Sequence, residues 1–186
     1  MPAGGGAEAR RGPSRRPPRR VILRDAGPDD LGAIGEILNH EIRSGTASWT
    51  ETPKTAEDME RWFAVRRARG FPVVVAEAGG EVLGYASYGP FRTGEGYRGT
   101  VEHSVYVARK ARGRGIARLL MERVIAEAKA AGLSRMVGGV SADQPASLEL
   151  HRRLGFEEQG RLRGVGCKRG KRLDLVLMVL ALDGPG

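Results

Sequence analysis

A strand, a basic glycine-containing turn and a helix follow one another between residues 100 and 131, and few folds accommodate that succession. Thr100–Val107 reads as a strand. Residues 108–115 are basic, and Ile116 to about Ala131 reads as a helix stopped by Gly132, with Ile116, Leu119, Leu120 and Val124 on one stripe. The junction is Arg112-Gly113-Arg114-Gly115-Ile116-Ala117. Glycines there let backbone N–H groups approach an anion, and the helix N-terminus adds partial positive charge. Arg109, Lys110, Arg112 and Arg114 add whole charges. A basic helix start with two convenient glycines is the plainer explanation of the same residues. A P-loop is not supported, because no Gly-x-x-x-x-Gly-Lys-Ser/Thr occurs; nor does Gly-x-Gly-x-x-Gly follow the first strand, as a dinucleotide fold requires.

The flanking segments place this unit in a single α+β domain. Val21–Arg24 reads as a short strand and Pro28-Asp29-Asp30 opens a helix whose Leu31, Ile34, Leu38 and Ile42 share a face. Residues 43–54 read as a polar loop. Thr55 caps a second helix running to about Arg69, with Met59, Trp62 and Phe63 inward. Pro72–Glu77 and Val82–Tyr88 form a hairpin across Gly79-Gly80, and residues 89–99 a glycine-rich loop. Arg135–Ser141 reads as a strand and Pro145–Leu154 as a short helix. Phe156 to about Gly164 and Leu173–Leu182 read as a final antiparallel pair. Hairpins and helical crossovers in one chain imply a mixed sheet.

Charge does not make this a nucleic-acid binder. Of the net +9, residues 1–20 hold +5, in a stretch of six arginines broken by Pro13, Pro17 and Pro18 with no aromatic residue to stack on a base. A disordered, solvated basic tail is expected there, a domain over 21–182, and a short tail at 183–186. Nucleic acid is not expected as a partner. The longest apolar run, Leu175–Leu182, is eight residues, far below the roughly 20 of a membrane span. No membrane association is expected. One cysteine, Cys167, leaves no intrachain disulfide framework and no multi-cysteine metal site, so no metal and a cytoplasmic setting are expected.

Val105-Tyr106-Val107 followed by Arg112–Ala117 resembles the coenzyme A motif of the GNAT (GCN5-related N-acetyltransferase) superfamily. Asp143-Gln-Pro-Ala-Ser-x-x-Leu-His151-x-x-Leu-Gly-Phe156 agrees with it. Gly84-Tyr-Ala-Ser-Tyr-Gly89, Phe91-Arg92, Tyr97-Arg98-Gly-Thr-Val-Glu-His-Ser-Val-Tyr-Val107 and Gly166-x-Lys168-x-Gly170…Asp174 narrow the likeness. Together with Asn39-His40…Thr46-Ala47-Ser48-Trp49…Pro53, they resemble the phosphinothricin and methionine sulfoximine/sulfone acetyltransferases. The chain departs from that pattern at Gln144, where relatives usually carry asparagine, at Arg172, where tryptophan is usual, and at Thr93 and Gly94.

The resemblance implies an acyl-CoA N-acyltransferase fold: a mixed, mostly antiparallel, splayed sheet flanked by helices. It implies acetyl-CoA as cosubstrate, its pantetheine arm along the backbone of Val105, Tyr106 and Val107. Arg112, Gly113, Arg114, Gly115, Ile116 and Ala117 would take its pyrophosphate, and Gln144 would order it. It implies a small amino acid analogue as acceptor, contacted by Arg92, Thr93, Gly94, Glu102, His103 and Ser104, and a homodimer. A protein or polyamine acceptor, or a non-catalytic acetyl-CoA sensor with a nucleic-acid-binding tail, are the competing readings.

Strand alternation constrains the chemistry independently. Thr100, Glu102, Ser104 and Tyr106 share one face, unusually polar for a central strand, and Val101, His103, Val105 and Val107 the other. The acceptor ammonium must lose a proton before attack. Glu102 is the candidate base, directly or through a water, although it also fits a buried ion-pair partner. Being on opposite faces, Glu102 and His103 are not expected to form a dyad. His151, where many relatives place tyrosine, is the candidate for proton transfer to the leaving thiolate or a hydrogen bond to sulfur, against a structural role in a short helix.

Overall fold

The computed structural model describes residues 20–183; the expected tails at 1–19 and 184–186 lie outside the described residues. Strand β1 (Ile22–Asp25) leads into helix α1 (Leu31–Ser44) through a 3-10 turn at Pro28–Asp30. Helix α2 (Ala56–Ala68) starts where Thr55 predicts, with a reciprocal cap: Asp58 N–H donates to Thr55 Oγ1 at 3.2 Å and Thr55 N–H to Asp58 Oδ2 at 3.1 Å. The chain continues through β2 (Val73–Ala78), β3 (Glu81–Pro90), β4 (Thr100–Val107), α3 (Ile116–Ala130), β5 (Arg135–Ser141), α4 (Pro145–Arg153), β6 (Glu157–Lys168) and β7 (Lys171–Ala181).

These strands form one seven-stranded sheet in the order β1-β2-β3-β4-β5-β7-β6, antiparallel except between β4 and β5. Both faces are covered. Ile116, Leu120, Met121, Val124 and Ala128 of α3 pack on Val74, Ala86, Val101 and Met136 on one side. Ile34 of α1 and Met59 and Phe63 of α2 pack on Val73, Val75 and Tyr85 on the other.

Two expectations change. Leu119 is 41% exposed and does not belong to the buried stripe of α3, whereas Met121 does. At about 100° per residue, Ile116, Leu120, Met121, Val124 and Ala128 define an arc centred well away from Leu119. Strand β6 runs past Gly164 to Lys168, because the ladder with β7 absorbs an irregularity between Leu162 and Gly166. Gly164 has φ 61° there, and its N–H donates to Asp174 Oδ1 at 2.8 Å.

The feature that positions the site is the parting of β4 from β5. They pair over only three positions, Thr100–Glu102 against Arg135–Val137. Beyond them β4 keeps its ladder to β3 as far as Val107, and β5 its ladder to β7 as far as Ser141. The edge of Ser104–Val107 that faces β5 therefore has no strand partner.

Candidate active site

A hollow of about 310 Å³ occupies that parting. Its walls include Glu102, Ser104, Val105 and Tyr106 of β4, Gly139 and Ser141 of β5, Gln144, Ser147 and His151 of α4, and Ala47, Ser48 and Trp49 of the loop after α1. Glu102 reaches across towards β5, and a Cβ at Gly139 would sit 3.2 Å from its Oε1. The surrounding walls raise the Glu102 carboxyl above its ordinary range by desolvation, and the positive charge of Arg92 pulls it partly back. Tyr106 packs beside Tyr85 with ring centroids 5.5 Å apart and is pushed up to about 12, chiefly by burial. Its phenol keeps its proton at neutral pH.

His103 points to the other face, into the core, as alternation requires. It meets His151 there, Nε2 to Nε2 at 3.0 Å, and both rings pack edge-on against Phe156. Gly138 makes the room: a Cβ would lie 2.7 Å from His103 Nε2 and 2.8 Å from His151 Nε2. The partners dictate the tautomers. Ser147 carbonyl can only accept, so His151 Nδ1–H donates to it at 2.6 Å. The bare Nε2 of His151 then accepts from His103 Nε2–H, and His103 Nδ1 is left buried without a partner. Burial pushes His103 down to about 3, with His151 adding to the effect, and burial likewise lowers His151. Both rings are neutral at physiological pH.

The glycine turn has the backbone an anion site needs. Gly113 and Gly115 have φ of 74° and 77°, and a Cβ at either would meet nothing within 4 Å. The requirement is conformational, since nothing crowds a side chain at either position. The four basic residues are not equivalent. Arg112 is tied inward, its Nη2 donating to buried Glu41 Oε2 at 2.9 Å and its Nε to Val107 carbonyl at 3.2 Å. Lys110 pairs with Glu81. Among the described residues Arg109 and Arg114 make no side-chain hydrogen bond or ion pair, and Arg114 stands exposed in the turn itself. Diphosphate would therefore find backbone amides and Arg114 first. Replacing Gly115 by Val, which resists positive φ, is expected to raise the KM for acetyl-CoA by about 10-fold or more. An unchanged KM in a steady-state titration would remove the turn from the binding site.

Gln144 precedes α4 and donates from Nε2 to Thr46 Oγ1 at 2.6 Å, so the amide is linked to the loop that roofs the hollow. That loop is held from below. Lys168 is 4% exposed, and its Nζ donates to the carbonyls of Gly45 (2.7 Å), at the end of α1, and of Ser48 in the loop. Gly166 leaves space that a Cβ would take from the Trp49 ring. Gly166 and Lys168 thus support the roof, while Gly170, at φ 73°, turns the chain between β6 and β7. Arg172 stays outside it and donates to Gly164 carbonyl at 3.2 Å.

Arg92, Thr93 and Gly94 are placed differently. They line a separate concavity with Phe71, Tyr97 and Arg98, and the Arg92 guanidinium lies 5.1 Å from the Phe91 ring centre. Of these three, Arg92 acts on Glu102 through its charge. Sequence reasoning missed Glu41, Ser141 and Ser147. Glu41 gains meaning only from Arg112, 71 positions away, and Ser141 only from the parting of the strands, whereas Ser147 lies in the Asp143–Phe156 motif and acts through its backbone carbonyl on His151, four residues on.

The acetyltransferase (GNAT) family model matches residues 34–156. A methionine sulfoximine/methionine sulfone acetyltransferase of Pseudomonas aeruginosa is 49% identical over 162 residues, covering 87% of this chain and 94% of that protein. An N-acetyltransferase from Staphylococcus aureus Mu50 superposes with a TM-score of 0.87 at 40% identity, covering 88% of this chain and 99% of that one. A phosphinothricin acetyltransferase from Sinorhizobium meliloti, in complex with AcCoA, superposes with a TM-score of 0.84 at 37% identity, covering 87% and 88%. A parted sheet with a glycine turn at its rim, a family model across most of the domain and relatives aligned along nearly their whole length place this chain in the GNAT acetyltransferase family.

Proposed function

We propose that the protein transfers acetyl from acetyl-CoA to the α-amino group of methionine sulfoximine, methionine sulfone, phosphinothricin or a close amino acid analogue. The observation that carries the reading is Glu102, a desolvated carboxylate in the parting of β4 and β5, with the open turn at Gly113 and Gly115 on the same strand–helix unit. The described residues fit the cosubstrate: amides of Gly113–Ala117 and the Arg114 guanidinium suit its pyrophosphate, and the free edge of Ser104–Val107 suits its amide-bearing arm. Acetyl-CoA supplies an activated thioester carbonyl. Glu102 takes the ammonium proton, directly or through one water, which makes the nitrogen nucleophilic. Unpaired amides of β4 near Val105 are the available donors for charge developing on the carbonyl oxygen. His151 forms the rear wall. Its Nε2 lone pair is occupied by His103, so proton return to sulfur from this ring requires prior protonation that burial opposes; as the C–N bond forms and the C–S bond breaks, the second proton lost by nitrogen would go to the departing thiolate, directly or through water.

His103 lines the rear of the hollow beside His151, while Ser104 faces the acceptor side with Glu102. Arg92, Thr93 and Gly94 approach it from the neighbouring concavity. The cationic surroundings, with Arg92 and Arg98 nearby, disfavour a polyamine. A cytoplasmic setting, where acetyl-CoA is made, and a homodimer belong to the same reading. Among the described residues no helix is long and apolar enough to cross a membrane. A thiol-release assay with these amino acids, a polyamine and a peptide tests the reading. Turnover is expected on the amino acids alone, and turnover confined to the peptide or polyamine would overturn it.

A further inference from the structure

We infer that Arg66 of α2 binds the α-carboxylate of the acceptor, an inference that rests on the amino acid reading above. A second hollow of about 330 Å³ adjoins the first and shares Ser48, Ser104 and Tyr106 with it. It lies on the α1/α2 face of the sheet, the face to which Glu102, Ser104 and Tyr106 point. Arg66, Trp62 and Met59 form its α2 wall.

The position of the guanidinium follows from one missing side chain. Gly89 stands directly across the β3–β4 ladder from Glu102. Residues opposite one another in an antiparallel pair present their side chains to the same face, with Cβ atoms roughly 5 Å apart. A Cβ at Gly89 would overlap the Arg66 guanidinium. Arg66 thus fills the place of the side chain opposite the base, while the carboxylate of Glu102 leans the other way, towards Gly139. Glu102 lines the first hollow and Arg66 the second, and the two hollows meet at Ser48, Ser104 and Tyr106.

Arg66 is unspent. Among the described residues its guanidinium makes no hydrogen bond or ion pair, and its buried Nε has no partner. The Trp62 ring, 5.8 Å away, holds it without neutralising it. Asp58, the acid of this hollow, is engaged by Arg61 at 2.6 Å and by the Thr55 cap. A desolvated cation with a free fork calls for a planar carboxylate. With the amine held at Glu102, the nearest anion any amino acid can offer is the carboxylate on the same carbon. Arg92, in the separate concavity, is left for the distal oxygen-bearing group.

The test compares an amino acid acceptor, methionine sulfone, with its carboxamide. Relative to wild type, Arg66→Gln is expected to lower the ratio of kcat/KM for acid over amide by about 10- to 100-fold, the worth of a charged hydrogen bond. Arg66→Lys should restore part of it. Calorimetric titration of methionine sulfone into each protein gives the same comparison without turnover, and the lysine variant keeps the test open should the glutamine variant misfold. An unchanged ratio, or equal losses for acid and amide, overturns the inference. Wild-type turnover on polyamine or peptide alone would instead overturn the amino acid reading, and the titration would still report on Arg66.

Discussion

Glu102→Gln is expected to lower kcat by about 10²- to 10⁴-fold, the usual contribution of a positioned base. The amide keeps the shape of the side chain and cannot take a proton. Acetyl-CoA affinity, measured by calorimetry, should stay within about two-fold, because the turn that would hold the diphosphate lies at the far end of β4. The pH profile supplies a second signature. The base works only when ionised, so the wild-type rate falls as pH drops through the Glu102 pKa. Desolvation places that pKa above the ordinary carboxylate range of about 4.3, with Arg92 opposing, so the acid limb should sit correspondingly high. The residual activity of the glutamine variant should lack that limb. A variant with wild-type kcat would remove Glu102 from the chemistry altogether.

Why this carboxylate could be found before any coordinates is a matter of period. Alternation along Thr100–Val107 separates a polar set from an apolar set, and the structure keeps that division, with Glu102 and Ser104 open to the hollow and Val101 and His103 buried. The caps and the glycine turn were legible for the same reason, because their physics is contained in a few adjacent residues. What was illegible depends on register or on distance. Gly89 belongs to a motif in the sequence, but its place opposite Glu102 appears only when β3 is laid against β4. Arg66 carries no signal of its own in the sequence, and only Gly89 explains where its guanidinium goes. Arg112 counts as a free phosphate ligand in the sequence, whereas Glu41, 71 positions away, takes its charge. Leu119 failed for a subtler reason: three apolar spacings fit a stripe, but the buried arc is defined by five residues, and Met121 and Ala128 turn it away.

The histidine pair behind the hollow should make the fold sensitive to mild acid. In the unfolded chain His103 takes up a proton near its ordinary value of about 6.5. In the folded chain burial holds it down to about 3, with the facing His151 ring contributing, so it stays neutral across the interval. The unfolded state therefore binds more protons below about pH 6.5, and stability must fall as pH falls, by up to about 1.4 kcal/mol per pH unit, reaching about 4 kcal/mol near pH 3.5. His151, lowered by the same burial, adds in the same direction. Among the described residues no carboxylate relieves the pair: the contacts around it include Phe156, Gly138 and the Ser147 carbonyl, and Glu102 points to the opposite face. His103→Leu removes the titrating ring and the donor to His151 Nε2, and should cost about 1 kcal/mol at pH 7.5, where the wild-type ring is neutral in either state. It should also flatten the decline towards pH 4.5, so that the two stability curves cross. Urea unfolding at pH 7.5, 6 and 4.5 reads both effects. Parallel curves would mean that His103 is already charged in the folded protein, and the neutral tautomer chain from His103 through His151 to Ser147 would fall with it.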